Sequence, residues 1–174
     1  MLTIKELKIP GYEKVIEGKD PARGLICYIA IHSTVLGPSL GGTRIHKYAT
    51  EQEALEDALR LAKAMTYKSA IAQDGLGGGK SVIIADPSKG KSVELLHAYA
   101  EVVDTLKGTY IAAEDVGSDI ADMAIIHQLT PYVAALSTET SSGDPSRFTA
   151  HGVFRGIQAV AYRLWHSKSL KGKT

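Results

Sequence analysis

Lys68 and Lys80 bracket a stretch whose residue types suit proton transfer on a small anion. Between them runs Gly75-Leu76-Gly77-Gly78-Gly79, and glycine at four of five positions lets main chain come close to a bound molecule. A lysine held beside such a space with little water around it loses part of its preference for the charged form and can act as a base. Glu114-Asp115 supplies a complementary acid. One ammonium would bind a carboxylate, the other would take a proton, and Asp115 would exchange a proton with a substrate amine. Met65 precedes Lys68 by three positions, on the same side of a helix end.

Each residue also has a plainer reading on spacing alone. Lys68 reads equally as a solvated lysine facing the negative end of a helix dipole. Asp115 could cap a helix beginning near Ser118, Asp144-Pro145 could be a turn, and the glycine run could be a loose loop. As a charged loop residue, Lys80 would then add little to packing. A phosphate loop at Gly79-Lys80-Ser81 fails twice. The position that needs the first glycine is Asp74, and the lysine is followed by a β-branched strand rather than a helix. The dinucleotide fingerprint G-x-G-x-x-G fails as well, because Lys80 stands where its last glycine must be. Histidines 32, 46, 97, 127, 151 and 166 show no metal-ligand spacing.

These side chains need a scaffold, and the pattern predicts one of α/β class. Tyr12 to Glu17 and Gly24 to Ser33 read as paired strands across Gly18-Lys19-Asp20-Pro21. Gly37-Pro38-Ser39-Leu40-Gly41-Gly42 reads as irregular loop. Thr50 and Glu53 form a capping-box signature ahead of a helix that carries Leu55, Leu59, Ala62 and Met65 on one face and ends near Lys68. Ser81 to Ala85 reads as a strand, Ser92 as the cap of a helix through Leu106, and Thr109 to Ala113 as a strand. Ser118 to Leu129 follows as a helix, Val133 to Leu136 as a short strand, and Thr149 to His166 as a final helix after the loop Ser141 to Ser146. Strands alternating with helices imply a sheet with helices packed on it.

Composition bounds the function. The chain has 174 residues, 44% apolar and 22% charged, with a net charge of +1. That balance suits one globular domain and leaves no strongly basic face for nucleic acid. Cys27, alone in an apolar strand, excludes an internal disulfide and fits a reducing compartment. No apolar run is long enough to span a membrane, and the first residues carry charge where a signal peptide would be apolar. A cytoplasmic enzyme or binding domain is the expectation.

The motifs are specific enough to carry a resemblance. Leu40-Gly41-Gly42-Thr43-Arg44, Glu56 to Lys68, Leu76-Gly77-Gly78-Gly79-Lys80, Tyr110 to Gly117 and Thr149-Ala150-His151-Gly152-Val153 occur in order along nearly the whole chain. In them the chain resembles the N-terminal, substrate-binding and dimerisation domain of the amino-acid dehydrogenases acting on leucine, phenylalanine, valine and glutamate, closest to the leucine-acting members. The resemblance implies an open mixed sheet flanked by helices. It implies NAD-dependent oxidative deamination of a branched-chain L-amino acid to a 2-oxo acid and ammonia, and a homo-oligomer formed through this domain. By the same resemblance Lys80 is the catalytic lysine that activates water, and Asp115 the acid that moves a proton on the substrate nitrogen. Lys68 holds the substrate carboxylate with Leu40, Gly41, Gly42 and Met65 around it, and Thr149 lies near the nicotinamide. Gln73-Asp74-Gly75 departs from the family pattern, so the pocket beside it is expected to differ. Residues 1–166 are expected to form the substrate domain, and 167–174 a polar tail leading to a nucleotide-binding domain not contained in the sequence. An in-frame G-x-G-x-x-G beyond Thr174 would mark the enzyme; a stop would mark a non-catalytic remnant or interaction module. A lysine-based lyase has no support beyond the lysines themselves.

Overall fold

The computed structural model of the chain describes residues 1–89, 91–136, 143 and 145–173. They fall into two compact units, Met1–Leu136 and Ser137–Thr174. The first holds strands β1 (Thr3–Leu7), β2 (Lys14–Asp20), β3 (Leu25–Ser33) and β4 (Ser39–His46), then helix α1 (Glu51–Ala72) and strand β5 (Gly77–Ile84). Helix α2 (Val93–Asp104), strand β6 (Tyr110–Glu114) and helix α3 (Ile120–His127) complete it. The sheet order is β1-β2-β3-β5-β4-β6. The first three neighbouring pairs are antiparallel, and β5–β4 and β4–β6 are parallel. This is the open mixed sheet with flanking helices that the resemblance implies.

Both faces of the sheet are covered, which explains the unbroken apolar run at the end of β5. Val82 joins Ala54, Ala58 and Ala62 of α1 on one side. Ile83, its neighbour in sequence, joins Leu95, Tyr99, Val103 and Met123 of α2 and α3 on the other. The buried stripe of α1 is therefore alanine, and Leu55, Leu59 and Met65 sit only half-buried at its margins. Small residues bring this helix close to the sheet.

The glycines are where the structure departs most from expectation. Gly37–Gly42 does not form a loop throughout: Ser39 already begins β4, which is paired in parallel on both sides. Likewise β5 begins at Gly77 rather than Ser81. A Cβ at Gly41 would lie 2.3 Å from the Gly79 carbonyl oxygen, and one at Gly79 would lie 2.8 Å from the Tyr110 ring. Neighbouring chain thus fills the space that glycine frees, and strand pairing from both sides overrides its weak strand preference.

The helix ends follow their caps. Thr50 accepts from the Glu53 amide at 3.1 Å, while the Glu53 carboxylate reaches Ala49 N at 3.0 Å rather than Thr50 N. α1 continues past Lys68 to Ala72, because Ser69-Ala70-Ile71-Ala72 contains no breaker; Gln73, at φ 55°, ends it. Ser92 caps α2 as expected, and α2 stops at Asp104. Asp119, not Asp115, caps α3, in a reciprocal box with Asp122. Val133 makes an isolated bridge to Ala112 instead of a strand.

The second unit contains α4 (Ser146–Trp165), whose C-cap is His166 at φ 53°. Ser141, Ser142 and Asp144 of the predicted loop Ser141–Ser146 lie outside the described residues. No helix among the described residues is long and apolar enough to cross a membrane.

Candidate active site

Lys80 lies midway along β5, Asp115 lies one residue past the end of β6, and β4 runs between them. For the lysine to reach the acid, its side chain must cross β4. The pairs Leu40↔Gly78 and Thr43↔Ser81 put Gly42 beside Lys80, and Gly42 pairs with Ala113 on the other side. The strand therefore has no side chain at the crossing point. A Cβ at Gly42 would lie 2.7 Å from the Asp115 Cβ, 2.8 Å from the Glu114 carbonyl oxygen and 3.1 Å from the Lys80 Nζ. Through that gap the Lys80 ammonium meets Asp115 Oδ2 at 2.8 Å.

Lys80 is 5% exposed, so it is a buried strand residue and not the loop residue of low packing value that the sequence suggested. Burial pushes its pKa below the ordinary lysine value, against the opposing pull of Asp115. For Asp115 burial acts in the raising direction. Hydrogen bonds and charge from Lys80 and Arg44 more than offset it, and the carboxyl is held below its ordinary value. The two titrate as a pair, with a base and an acid in contact.

The sign for stability follows from Asp115. Its folded pKa lies below the unfolded value of 3.8, so it stabilises above about pH 4 and loses that contribution as pH falls. Asp115→Asn is expected to flatten the fall of the urea midpoint below pH 4. An unchanged slope would contradict the assignment.

A second cation converges on the same oxygen. Arg44 Nε donates to Asp115 Oδ2 at 2.9 Å, and Arg44 Nη1 donates to Asp57 Oδ2 of α1 at 2.9 Å. Asp57 is held further by the Tyr48 hydroxyl at 2.7 Å and by Arg60 at 2.6 Å. The sequence reading gave no role to Arg44 or Asp57. The available signal was the two-residue spacing of Gly42 and Arg44, which puts both on one face of a strand.

Beneath the site, on the other face, buried hydroxyls tie the three parallel strands together. Tyr99 of α2 meets Ser81 at 2.6 Å and Thr43 at 3.0 Å. Tyr110 donates to the Gly41 carbonyl at 2.8 Å and meets the Ser81 hydroxyl at 3.0 Å. Buried groups this well satisfied hold one strand register.

Among the described residues, Lys68, Met65, Leu40 and Thr149 make no bond to this pair. Helix α1 crosses β5 where Thr66 meets Gly78. Met65 and Leu40 there are half-buried, and Gly41 lies within β4. Lys68, two positions beyond Thr66, is exposed and has no ion-pair partner among the described residues. Thr149 is an exposed residue of the first turn of α4, in the second unit.

A buried mid-strand lysine in contact with a half-buried carboxylate just past the end of a parallel strand gives this α/β domain an arrangement suited to proton transfer. Residues 13–132 match the family described as Glu/Leu/Phe/Val dehydrogenase, dimerisation domain, and the chain belongs to that family. It is 52% identical to a leucine dehydrogenase of Geobacillus stearothermophilus over 99% of this chain and 47% of that protein. It is 48% identical to a valine dehydrogenase of Streptomyces virginiae over 94% of this chain and 46% of that one. The crystal structure of L-tryptophan dehydrogenase from Nostoc punctiforme superposes with a TM-score of 0.71 at 43% identity, over 92% of this chain and 45% of that one. The chain thus spans about half the length of the relatives it matches.

Proposed function

We propose that this chain supplies the substrate-binding and acid–base half of an oxidoreductase that deaminates a branched-chain L-amino acid to a 2-oxo acid and ammonia. The observation that carries the reading is the Lys80–Asp115 contact made across Gly42. The unpaired Lys68 ammonium takes the substrate carboxylate, with Leu40 and Met65 beside the aliphatic side chain. Asp115, ionised, accepts a proton from the substrate ammonium, leaving a neutral amine. After hydride loss forms an iminium, neutral Lys80 takes a proton from the water that attacks it; Asp115 returns its proton to the nitrogen of the adduct, and ammonia leaves as the adduct's hydroxyl gives its proton to the Asp115 carboxylate. NAD would accept the hydride. The β5 glycines do not fit its binding, because Ser33 and Gly37 fill the space at Gly77, Thr66 that at Gly78 and Tyr110 that at Gly79, leaving no cradle for phosphate. Hydride transfer, and the role of Thr149 near a nicotinamide, therefore depend on further polypeptide.

Assayed alone, these 174 residues should give no NADH from L-leucine, L-valine or L-isoleucine; clear production would overturn the division of labour. Within the complete enzyme, Lys68→Ala should raise KM for the amino acid roughly 10- to 100-fold, the scale of a lost charge-assisted hydrogen bond. A KM that does not move would remove Lys68 from the carboxylate site. The proposal includes self-association through this domain, in keeping with its family's description. Sedimentation as monomer at all concentrations would contradict it.

A further inference from the structure

Lys80 can act as a base only after losing its proton, and at that moment its ion pair with Asp115 ends. A half-buried carboxylate left without a counter-charge takes up a proton or turns toward solvent. The structure holds a second cation on the same oxygen. Arg44 shares Asp115 Oδ2 with Lys80, and a guanidinium keeps its charge at any working pH. Its other arm is fixed to α1 by Asp57, which Tyr48 and Arg60 hold in turn. The charged and titratable groups around the carboxylate are Lys80 from β5, Arg44 from β4, Asp57 with its partners on the α1 side, and Glu114 beside it in sequence.

We infer that Arg44 is a positioning residue for the reaction: bridged between Asp57 and Asp115, it keeps Asp115 ionised and aimed at the substrate nitrogen while Lys80 is neutral. This rests on the acid–base reading of Lys80 and Asp115. A strut that merely ties β4 to α1 would be disturbed by the same variants, but it would leave the titration of Asp115 where it was. The fork geometry matters, because Nε and Nη1 each hold one carboxylate, whereas a lysine would divide a single nitrogen between the two.

The test is carboxyl-carbon NMR of the chain across pH, with the Asp115 signal assigned by its absence in Asp115→Asn. In Arg44→Gln the Asp115 midpoint should rise by about 1–3 pH units, the range for losing an adjacent opposite charge. Arg44→Lys should rise less, and Arg23→Gln, which removes a guanidinium bonded to Asp20 and Glu101, should not move it. In the complete enzyme the acid limb of kcat/KM should shift upward in Arg44→Gln, with KM for the amino acid little changed. An unmoved Asp115 midpoint in a folded Arg44→Gln chain overturns the inference. If that variant does not fold, Lys80→Met, which leaves Arg44 as the counter-charge on Asp115, should keep the Asp115 midpoint below the ordinary 3.8, and a midpoint above it would overturn the inference equally. Full activity in a Lys80 variant would instead defeat the acid–base reading, while the NMR result, read without turnover, would still report on Arg44.

Discussion

Lys80→Met is expected to cut kcat of the complete enzyme roughly 10²- to 10⁴-fold, the range for removing a positioned general base. Methionine is the informative choice. Lys80 is buried on an inner strand, so alanine would open a cavity and confuse lost packing with lost chemistry. Methionine keeps an unbranched side chain of similar length, and Asp115 retains Arg44 as its counter-charge. KM for the amino acid should change little, because the carboxylate is assigned to Lys68, so the defect should fall on kcat. Initial rates of NADH formation, with the urea midpoint as a check on folding, decide it. A kcat within threefold of the parent in a folded protein would show that Lys80 is structural. The pH profile gives an independent sign: base catalysis needs neutral lysine, so the parent rate should rise with pH and level off below the ordinary lysine value of 10.5.

What could be read from the chain and what could not divides along the range of the interactions. Ser92, which caps α2 through a bond to Leu95 N, is a local device and was legible at once. So were the alternation of strands with helices and the acid that follows β6. The strand character of Ser39–His46 and of Gly77–Gly79 was hidden, because glycine has poor strand propensity. Those segments are strands because other strands pair with them from both sides, and that information lies far away in sequence. Lys80 was singled out on a local argument that the structure does not bear out. The space at Gly77–Gly79 is filled by neighbouring chain; Gly42, on another strand, clears the path from lysine to acid. Arg44 was invisible for a related reason, since its meaning appears only when α1 and β6 bring Asp57 and Asp115 to either end of one guanidinium.

The same geometry makes Gly78 a sensitive packing position. A Cβ at Gly78 would lie 2.0 Å from Thr66 Oγ1, 2.2 Å from Thr66 N and 2.5 Å from Thr66 Cα. Two of those three atoms are helix backbone, so no rotamer change relieves the overlap. α1 would have to lift away, and Ala54, Ala58 and Ala62 would leave the sheet with it. Gly78→Ala is therefore expected to destabilise the chain by about 3 kcal/mol or more, the upper range for overpacking a core. Adding Thr66→Ala should not rescue it, because the backbone contacts remain, and it would also remove the 2.9 Å bond between Thr66 and His32. Gly75→Ala makes the comparison: that glycine has φ +75° and no neighbour within 4 Å, so it should cost only the left-handed strain of about 1–2 kcal/mol. Urea unfolding of the three variants gives the ranking, and a Gly78→Ala chain within 1 kcal/mol of the parent would mean that α1 retreats freely. The contact also bears on the reaction, since the turn of α1 pressed onto Gly78 carries Met65 and Lys68. In any variant mild enough to fold, a helix displaced there should raise KM for the amino acid before it lowers kcat, because Lys68, proposed to bind the carboxylate, moves while Lys80, Gly42 and Asp115 keep their places at the sheet.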